Sequence, residues 1–337
     1  MKKLLIIWFF SLIVISLSFC RKDVNGPGNE INNPKDEGFN VPHKDLVALK
    51  CVFTENYSGL LLLDYYDPSN YKIVKDPPAC VRTPRFSANK DKIIFNTKPY
   101  APGAGYSFAL YDVNKDTVKN IRRLSGLNLY GERPVWKYDG SGFYYYVYLG
   151  GVYFYQFDTQ LDYNFGPGNF LIHELYGLKG TDTLMVYGYD KKLGKQSYGN
   201  YFTDHEGSFL TRIDNPYLEP VHCSTGIISE YSKRLRWNST AGLFVCSEYD
   251  STLNGRKISV TNLDGSYYRS YTSGDYTDDY PVWGPEGKTI LFNRTEWIVP
   301  YFYYHGVMII DVETGEVSKF INPETINGAI RLWDADY

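Results

Sequence analysis

An all-β fold built from repeated four-stranded sheets is predicted for this 337-residue chain by three observations: its aromatic composition, a twelve-residue motif that recurs, and the even spacing of that motif. The chain holds 33 Tyr, 19 Phe and 6 Trp, 17% of all residues, but only nine Ala. Aromatic and β-branched side chains suit a pleated, half-buried surface, whereas helices draw on Ala, Leu, Glu and Lys. Helical bundles and coiled coils are thereby excluded. At 43% apolar and 22% charged, the composition also excludes wholesale disorder and a multi-span membrane protein. A net charge of −3, from 35 basic and 38 acidic residues, offers no basic surface for phosphate, so no nucleic-acid partner is expected.

The motif is seen at its fullest in Pro281-Val282-Trp283-Gly284-Pro285-Glu286-Gly287-Lys288-Thr289-Ile290-Leu291-Phe292, and is echoed from Pro134 to Tyr145. Looser copies run from Pro84 to Phe95 and from Leu235 to Val245. Each reads as a short strand, a polar turn and a second apolar strand. Third strands follow at Ala109 to Val113, Ile258 to Asn262 and Met308 to Val312, and a fourth returns at Val317 to Phe320. Four short antiparallel strands make a sheet with two apolar faces, unstable alone because neither is covered. Stacking the sheets around an axis covers both, which is the logic of a β-propeller.

Spacing sets the number of sheets. The marker aromatics Phe86, Trp136, Trp237, Trp283 and Trp333 lie 50, 101, 46 and 50 residues apart. The double interval leaves room for a degenerate copy around Leu171 to Val186, with Thr183 to Tyr187 as its second strand. Six first strands result, the last from Ala329 to Asp334. The opening segment supplies three strands without a first: Leu46 to Phe53, Gly59 to Tyr66 and Tyr71 to Lys75. A carboxy-terminal strand pairing into this amino-terminal sheet closes the ring and satisfies its edge groups. A two-sheet sandwich explains neither the period nor the complementary ends. The Pro-x-Trp-x-Pro-x-Gly-Lys-x-Ile-x-Phe pattern, with the turn Asn262-Leu263-Asp264-Gly265, resembles the repeats of TolB-like six-bladed propellers. That resemblance implies the fold over residues 46–337.

The amino terminus carries a separate signal. Lys2 and Lys3 precede an uncharged apolar run from Leu4 to Phe19, short for a membrane span and suited to a secretory signal. It ends in Leu17-Ser18-Phe19-Cys20 and turns polar at Arg21, Lys22 and Asp23. This resembles the lipobox of bacterial lipoproteins, although Phe19 stands where that family has Gly, Ala or Ser. The resemblance implies a signal peptide over residues 1–19 and a lipidated Cys20 that anchors the chain to a membrane. An uncleaved anchor, or cleavage after Ser18 with Cys20 as a plain thiol, is the alternative. Arg21 is not the Asp that resembles an inner-membrane retention signal, so the outer membrane is expected. Residues 20–45 read as a flexible tether: Val24, Ile31, Phe39 and Val41 are its only large apolar residues, too few to offset ordering entropy. A tether of this length reaches about 25–30 Å.

Motifs for catalysis are scarce. The five histidines, His43, His173, His205, His222 and His305, show no metal-ligand spacing, and there is no Gly-x-Ser-x-Gly elbow. Asp275 to Asp279 is rich in carboxylates but lacks the glycine and terminal Glu of an EF-hand loop, and reads as a solvated loop. No catalytic, metal or cofactor residue is assigned. An exported chain permits disulfides, with Cys51 and Cys80, and Cys223 and Cys246, as two local candidate pairs. Cys51 and Cys246 also fall on predicted strands, where a buried free thiol is an ordinary core residue, and both readings stay open.

In a propeller, the loops entering the first strands gather at one mouth of the central channel. Arg82, Glu132, Arg133, Arg234, Asp278 and Asp279 are therefore expected to ring that mouth as a site for a peptide or polar ligand. Tyrosines outside the period, from Tyr144 to Tyr148, Tyr153 to Phe157, Tyr267-Tyr268 and Tyr301 to Tyr304, offer a second candidate face. The leading expectation is a lipid-anchored, non-enzymatic propeller that binds a protein or polysaccharide partner in the cell envelope. A lyase or metal-dependent hydrolase centred on the channel is the alternative. Mass spectrometry of the membrane-extracted protein is expected to show a diacylglyceryl-modified amino-terminal Cys20, and Cys20→Ala to abolish both acylation and membrane retention.

Overall fold

In a computed structural model of the chain, residues 39–54, 57–74, 80–98, 106–123, 131–147, 151–166, 168, 170–178, 181, 183–194, 197–204, 207, 211–218, 235–250, 255–273, 275–298 and 301–337 are described. The signal peptide and Cys20 lie outside them. No helix among the described residues is long and apolar enough to cross a membrane.

The strands follow one another as β1 (Leu46–Thr54), β2 (Tyr57–Asp64), β3 (Tyr71–Ile73), β4 (Cys80–Phe86), β5 (Lys92–Lys98), β6 (Ser107–Asp112), β7 (Thr117–Arg123), β8 (Gly131–Trp136), β9 (Gly142–Val147), β10 (Gly151–Gln156), β11 (Leu161–Phe165) and β12 (Phe170–Gly177). Then come β13 (Leu184–Asp190), β14 (Gly199–Thr203), β15 (Thr211–Ile213), β16 (Arg236–Asn238), β17 (Leu243–Asp250), β18 (Gly255–Asn262), β19 (Tyr268–Ser270), β20 (Thr277–Trp283), β21 (Thr289–Ile298), β22 (Tyr301–Asp311), β23 (Val317–Ile321) and β24 (Arg331–Asp336). They pair as antiparallel sets of four: β24-β1-β2-β3, β4 to β7, β8 to β11, β12 to β15, β16 to β19 and β20 to β23. One parallel bridge, Arg256 to Thr277, joins the last two sets. The degenerate copy is the fourth set, with β12 and β13 where the spacing placed them.

Both faces of each set are covered. Ile93 and Phe95 of the second set pack with Leu60 and Leu62 of the first. Phe143 and Tyr145 of the third set pack with Ile94 and Phe108 of the second. The third and fourth sets share Tyr144, Val152, Leu175 and Val186, and the fourth and fifth share Met185, Tyr187, Phe244 and Cys246. The fifth and sixth share Val245, Val260, Trp283 and Ile290. The layer that returns to the start joins Val282, Leu291 and Val307 to Val47, Leu49 and Leu61. The strands thus form a β-propeller, and burying alternate residues on both faces is what makes each sheet stable.

The seam of the ring is the pairing of β24 with β1, in which Cys51 opposes Leu332 and Lys50 opposes Trp333. Asn293 stitches it to the sixth set, donating from Nδ2 to the Leu332 carbonyl at 2.5 Å and accepting at Oδ1 from the Asp334 amide at 3.1 Å. Lys90 braces the other side. Its ammonium donates to the carbonyls of Lys44 and Leu46, each at 3.0 Å, and lies 3.0 Å from the centre of the Tyr337 ring.

Three expectations are corrected here. The segment expected to be tether up to residue 45 is docked from Phe39 onward: Val41 is buried and Phe39 packs beside it against the layer between the first two sets. Two apolar residues suffice because Lys90 also caps the Lys44 carbonyl. Trp333 is not the marker of the last first strand. Register places Tyr337 there, opposite Val47, because Asp336 opposes Ala48; Trp333 instead meets Tyr280 and Tyr304 edge-on. Finally, Cys51 is a free thiol, wholly buried and pushed up in pKa by that burial. It does not pair with Cys80, because it faces the sixth set whereas β4 stacks on the opposite face of the first. Cys80's side chain and Cys223 lie outside the described residues; Cys246 is buried with Sγ 3.1 Å from the Ser259 hydroxyl.

Leu332 is 2% exposed within the seam, so Leu332→Ala is expected to cost about 2–5 kcal/mol in urea unfolding. A chain ending at Ile330 is expected to aggregate, since it leaves the edge of β1 unpaired.

Candidate axial binding site

The first strands β4, β8, β12, β16, β20 and β24 all contribute to one axial cavity of about 550 Å³. A repeated bulge shapes them. Thr83, Arg133, Tyr280 and Asp334 have φ between 45° and 56°, and pairing slips at each: Arg82/Arg85, Glu132/Val135, Asp279/Val282 and, across β24, Ala48/Lys50. Non-glycine residues in this region cost roughly 1–3 kcal/mol each and persist where neighbours over-determine them; bulges serve to re-aim side chains.

Three residues beyond each of these bulges stands an aromatic; β12 also slips, between Ile172 and Glu174, ahead of Tyr176, and register adds Trp237 of the fifth set. Phe86, Trp136, Tyr176, Trp237, Trp283 and Tyr337, one per set, line the cavity. The indoles also tie neighbouring sets together. Trp136 Nε1 donates to the Arg85 carbonyl at 2.9 Å, and Trp283 Nε1 to the Arg236 carbonyl at 3.1 Å. A Trp at this position therefore serves packing, inter-sheet bonding and the cavity wall at once. The strand turns complete the mouth with Asn89, Tyr138, Ser239, Thr240 and Gly287. Gly287 has φ +69°, and an added Cβ would stand 1.9 Å from Asn238 Nδ2, so glycine relieves both the backbone strain and the crowding against the fifth set at this turn.

Charge is concentrated one residue before the aromatics and at the bulges. Arg85 bonds Asp334 Oδ1 through both terminal nitrogens, at 3.2 and 3.1 Å. Arg133 Nη1 lies 3.2 Å from Glu174 Oε2. Asp336 Oδ2 accepts the Phe86 amide at 2.7 Å. Arg236 lies 3.9 Å from Asp334; burial, reinforced by Arg85 and opposed by Asp334 and Asp336, pushes its guanidinium down to about 9. Among the described residues, no His or Cys lines the cavity, and no group of three His, Cys, Asp or Glu is placed to hold a metal ion.

Of the four residues expected at the mouth whose side chains are described, Arg133 lines this cavity and Arg82, Asp278 and Asp279 do not. Arg82 points its guanidinium toward the Tyr106 ring, 5.7 Å away. Asp278 is fully buried in a two-pronged pair with Arg294, at 2.7 and 2.8 Å, where burial raises its pKa against the pull of that arginine. Asp279 accepts the Tyr280 amide at 2.9 Å and lies 3.7 Å from Arg256. Arg234 and the Glu132 side chain lie outside the described residues. Among the described residues, the turns that leave the first strands line the cavity, at Asn89, Tyr138, Ser239 and Gly287.

The tyrosines also change roles. Tyr144, Tyr145 and Tyr155 are core residues, at most 3% exposed; Tyr144 packs on Phe154 and Phe165. Of the out-of-period set, Tyr267 and Tyr303 are exposed. Sequence reasoning missed Arg85, Arg236 and Asp336, and it assigned to packing alone the periodic aromatics that also line the cavity. Among the histidines, His173 bonds the Tyr198 hydroxyl at 3.1 Å and is lowered in pKa by burial, whereas His305 pairs with Glu296 at 3.0 Å. His205 and His222 lie outside the described residues.

No protein-family model matches the chain, and no curated protein is significantly similar to it in sequence. Solved structures match the fold. TolB from Acinetobacter baumannii superimposes over 88% of this chain and 67% of its own, with TM-score 0.62 and 13% identity. The β-propeller domain of the Trilobed protease from Pyrococcus furiosus, described as having an open velcro topology, covers 84% of this chain and 96% of its own at TM-score 0.52 and 9% identity. A prolyl endopeptidase structure covers 82% of this chain and 50% of its own, at TM-score 0.52 and 14% identity. The fold is therefore a TolB-like β-propeller.

Asp334→Asn is expected to leave the Arg85 guanidinium, whose side chain is 10% exposed, without its buried counter-charge. A loss of about 3–5 kcal/mol in denaturant unfolding is expected.

Proposed function

We propose that this chain is a lipid-anchored, non-enzymatic binding protein of the bacterial cell envelope, tethered through Cys20 and receiving part of a protein or polysaccharide partner in the axial cavity. The observation that carries this reading is the aromatic lining: six aromatics, one from each strand set, line a cavity whose volume suits a bound molecular group. Flat side chains provide broad contact at low entropic cost, and the Trp136 and Trp283 indoles are fixed by bonds to neighbouring carbonyls. Arg85 and Arg133 are held in ion pairs, which stiffens the wall. The outer membrane is the favoured location, from the residue after Cys20.

A second reading, a lyase or metal-dependent hydrolase centred on the channel, draws support from the bulged backbone at Arg133 and Asp334, since strain of this kind clusters at active sites. Tyr138 separates the readings experimentally, being 52% exposed at the cavity mouth. A photo-crosslinking residue at Tyr138 is expected to trap a discrete envelope partner in intact cells. The same residue at Leu193, 58% exposed and away from the cavity lining, is expected to trap none. Equal or absent adducts at both positions, or turnover of envelope glycans by the purified protein, overturns the binding reading.

A further inference from the structure

Among the described arginines that line the cavity, Arg236 has the most distant carboxylate. Its Nη1 donates to the Leu235 carbonyl at 3.2 Å. Its Nη2 stands 3.9 Å from Asp334 Oδ1, beyond hydrogen-bond range, and that oxygen already takes both terminal nitrogens of Arg85. Its Nε is buried with no acceptor among the described residues. Arg236 also lines the cavity, between Trp237 and Leu235. A buried donor without an acceptor carries a desolvation cost, larger still for a charged group. The depressed guanidinium pKa has the same origin: burial, with Arg85 and Arg133 adding repulsion.

We propose that Arg236 is the anion-binding residue of the axial cavity, receiving a single carboxylate carried on a ring-shaped body that lies against the aromatic wall. Nη2, which makes no hydrogen bond within range among the described residues, is the nitrogen that offers a charge-assisted donor to a carboxylate oxygen. A single negative charge fits better than a phosphate dianion, because Asp334 and Asp336 supply negative charge nearby. The wall of Trp136, Trp237, Trp283 and Tyr337 suits a flat or ring-shaped body. An acidic sugar unit and an aromatic acid share this chemistry. The assignment rests on reading the axial cavity as the binding surface.

The test titrates the full acylated chain in detergent with glucuronate and with 4-hydroxybenzoate, each beside its uncharged counterpart, glucose and 4-hydroxybenzamide. Tryptophan fluorescence and the shift in melting temperature are read together. Saturable binding of either carboxylate, at least about tenfold tighter than its counterpart and about tenfold weaker in Arg236→Gln, supports the proposal, and the arm that binds identifies the source. Unliganded Arg236→Gln is expected to melt no lower than the parent chain, since the substitution removes a partly buried charge whose nearest carboxylate is 3.9 Å away; a lower melting temperature makes Arg236 structural and overturns the proposal. Absence of binding, equal binding of charged and uncharged probes, or an unaltered affinity in the variant overturns it as well. A Tyr138 crosslink that survives alongside failed carboxylate binding rejects the anion subsite alone and leaves the envelope-binding reading standing.

Discussion

Pairing of β24 with β1 holds the molecule together, because a stack of two-faced sheets has two uncovered ends until its last strand returns to its first. Here the return is reinforced chemically. The backbone ladder joins Val52 to Arg331 and Ala48 to Asp336, Asn293 binds both sides of Leu332 and Asp334, and Lys90 clamps Tyr337 from the neighbouring set. The entropic cost of closing so long a loop rises only logarithmically with its length. One apolar layer, completed by Val282, Leu291 and Val307 against Val47 and Leu61, is therefore set against a modest additional penalty. The kinetic consequence is larger, since contacts of this sequence separation form late.

Closure and site formation are one event. Asp334, Asp336 and Tyr337 come from the last residues of the chain, Arg85 from the second set, and Arg236 from the fifth. The ion pair that locks the seam, Arg85 with Asp334, also takes up the acid nearest Arg236. The neutralisation of one arginine thus leaves the other 3.9 Å from the shared acid. Local strain belongs to the same arrangement: the bulges at Thr83, Arg133, Tyr280 and Asp334 recur on the strands nearest the axis and interrupt their ladders beside the cavity.

Much of the fold was legible because burial on two faces imposes alternation and stacking imposes a period. The copies at Pro84, Pro134 and Pro281 and the split sheet at the ends follow from those two constraints. Interval counting takes Trp333 as the marker of β24, whereas register assigns Tyr337; the two lie four residues apart and both are aromatic, so the pattern alone does not separate them. Local reading also put Asp278 and Asp279 at the channel mouth, whereas both are buried. Asp278 and Asp279 are polar in sequence, yet Arg294 and Arg256 neutralise them, and nothing local announces partners 16 and 23 positions away. Phe39 and Val41 likewise looked too sparse to dock.

Sequence alone determined that the chain is β, that its unit is a four-stranded sheet, and that its ends complement one another, since each is a matter of composition and periodicity along the chain. It also placed the cavity-lining aromatics of four first strands, Phe86, Trp136, Trp237 and Trp283. Tertiary structure decided what those aromatics do. Only when the first strands converge on a common axis do Phe86, Trp136 and Tyr337 share a cavity wall, and only there do Arg85 and Arg236, separated by 151 positions, meet the same aspartate. Charge pairing and cavity lining depend on distances across the ring, which a linear pattern does not encode.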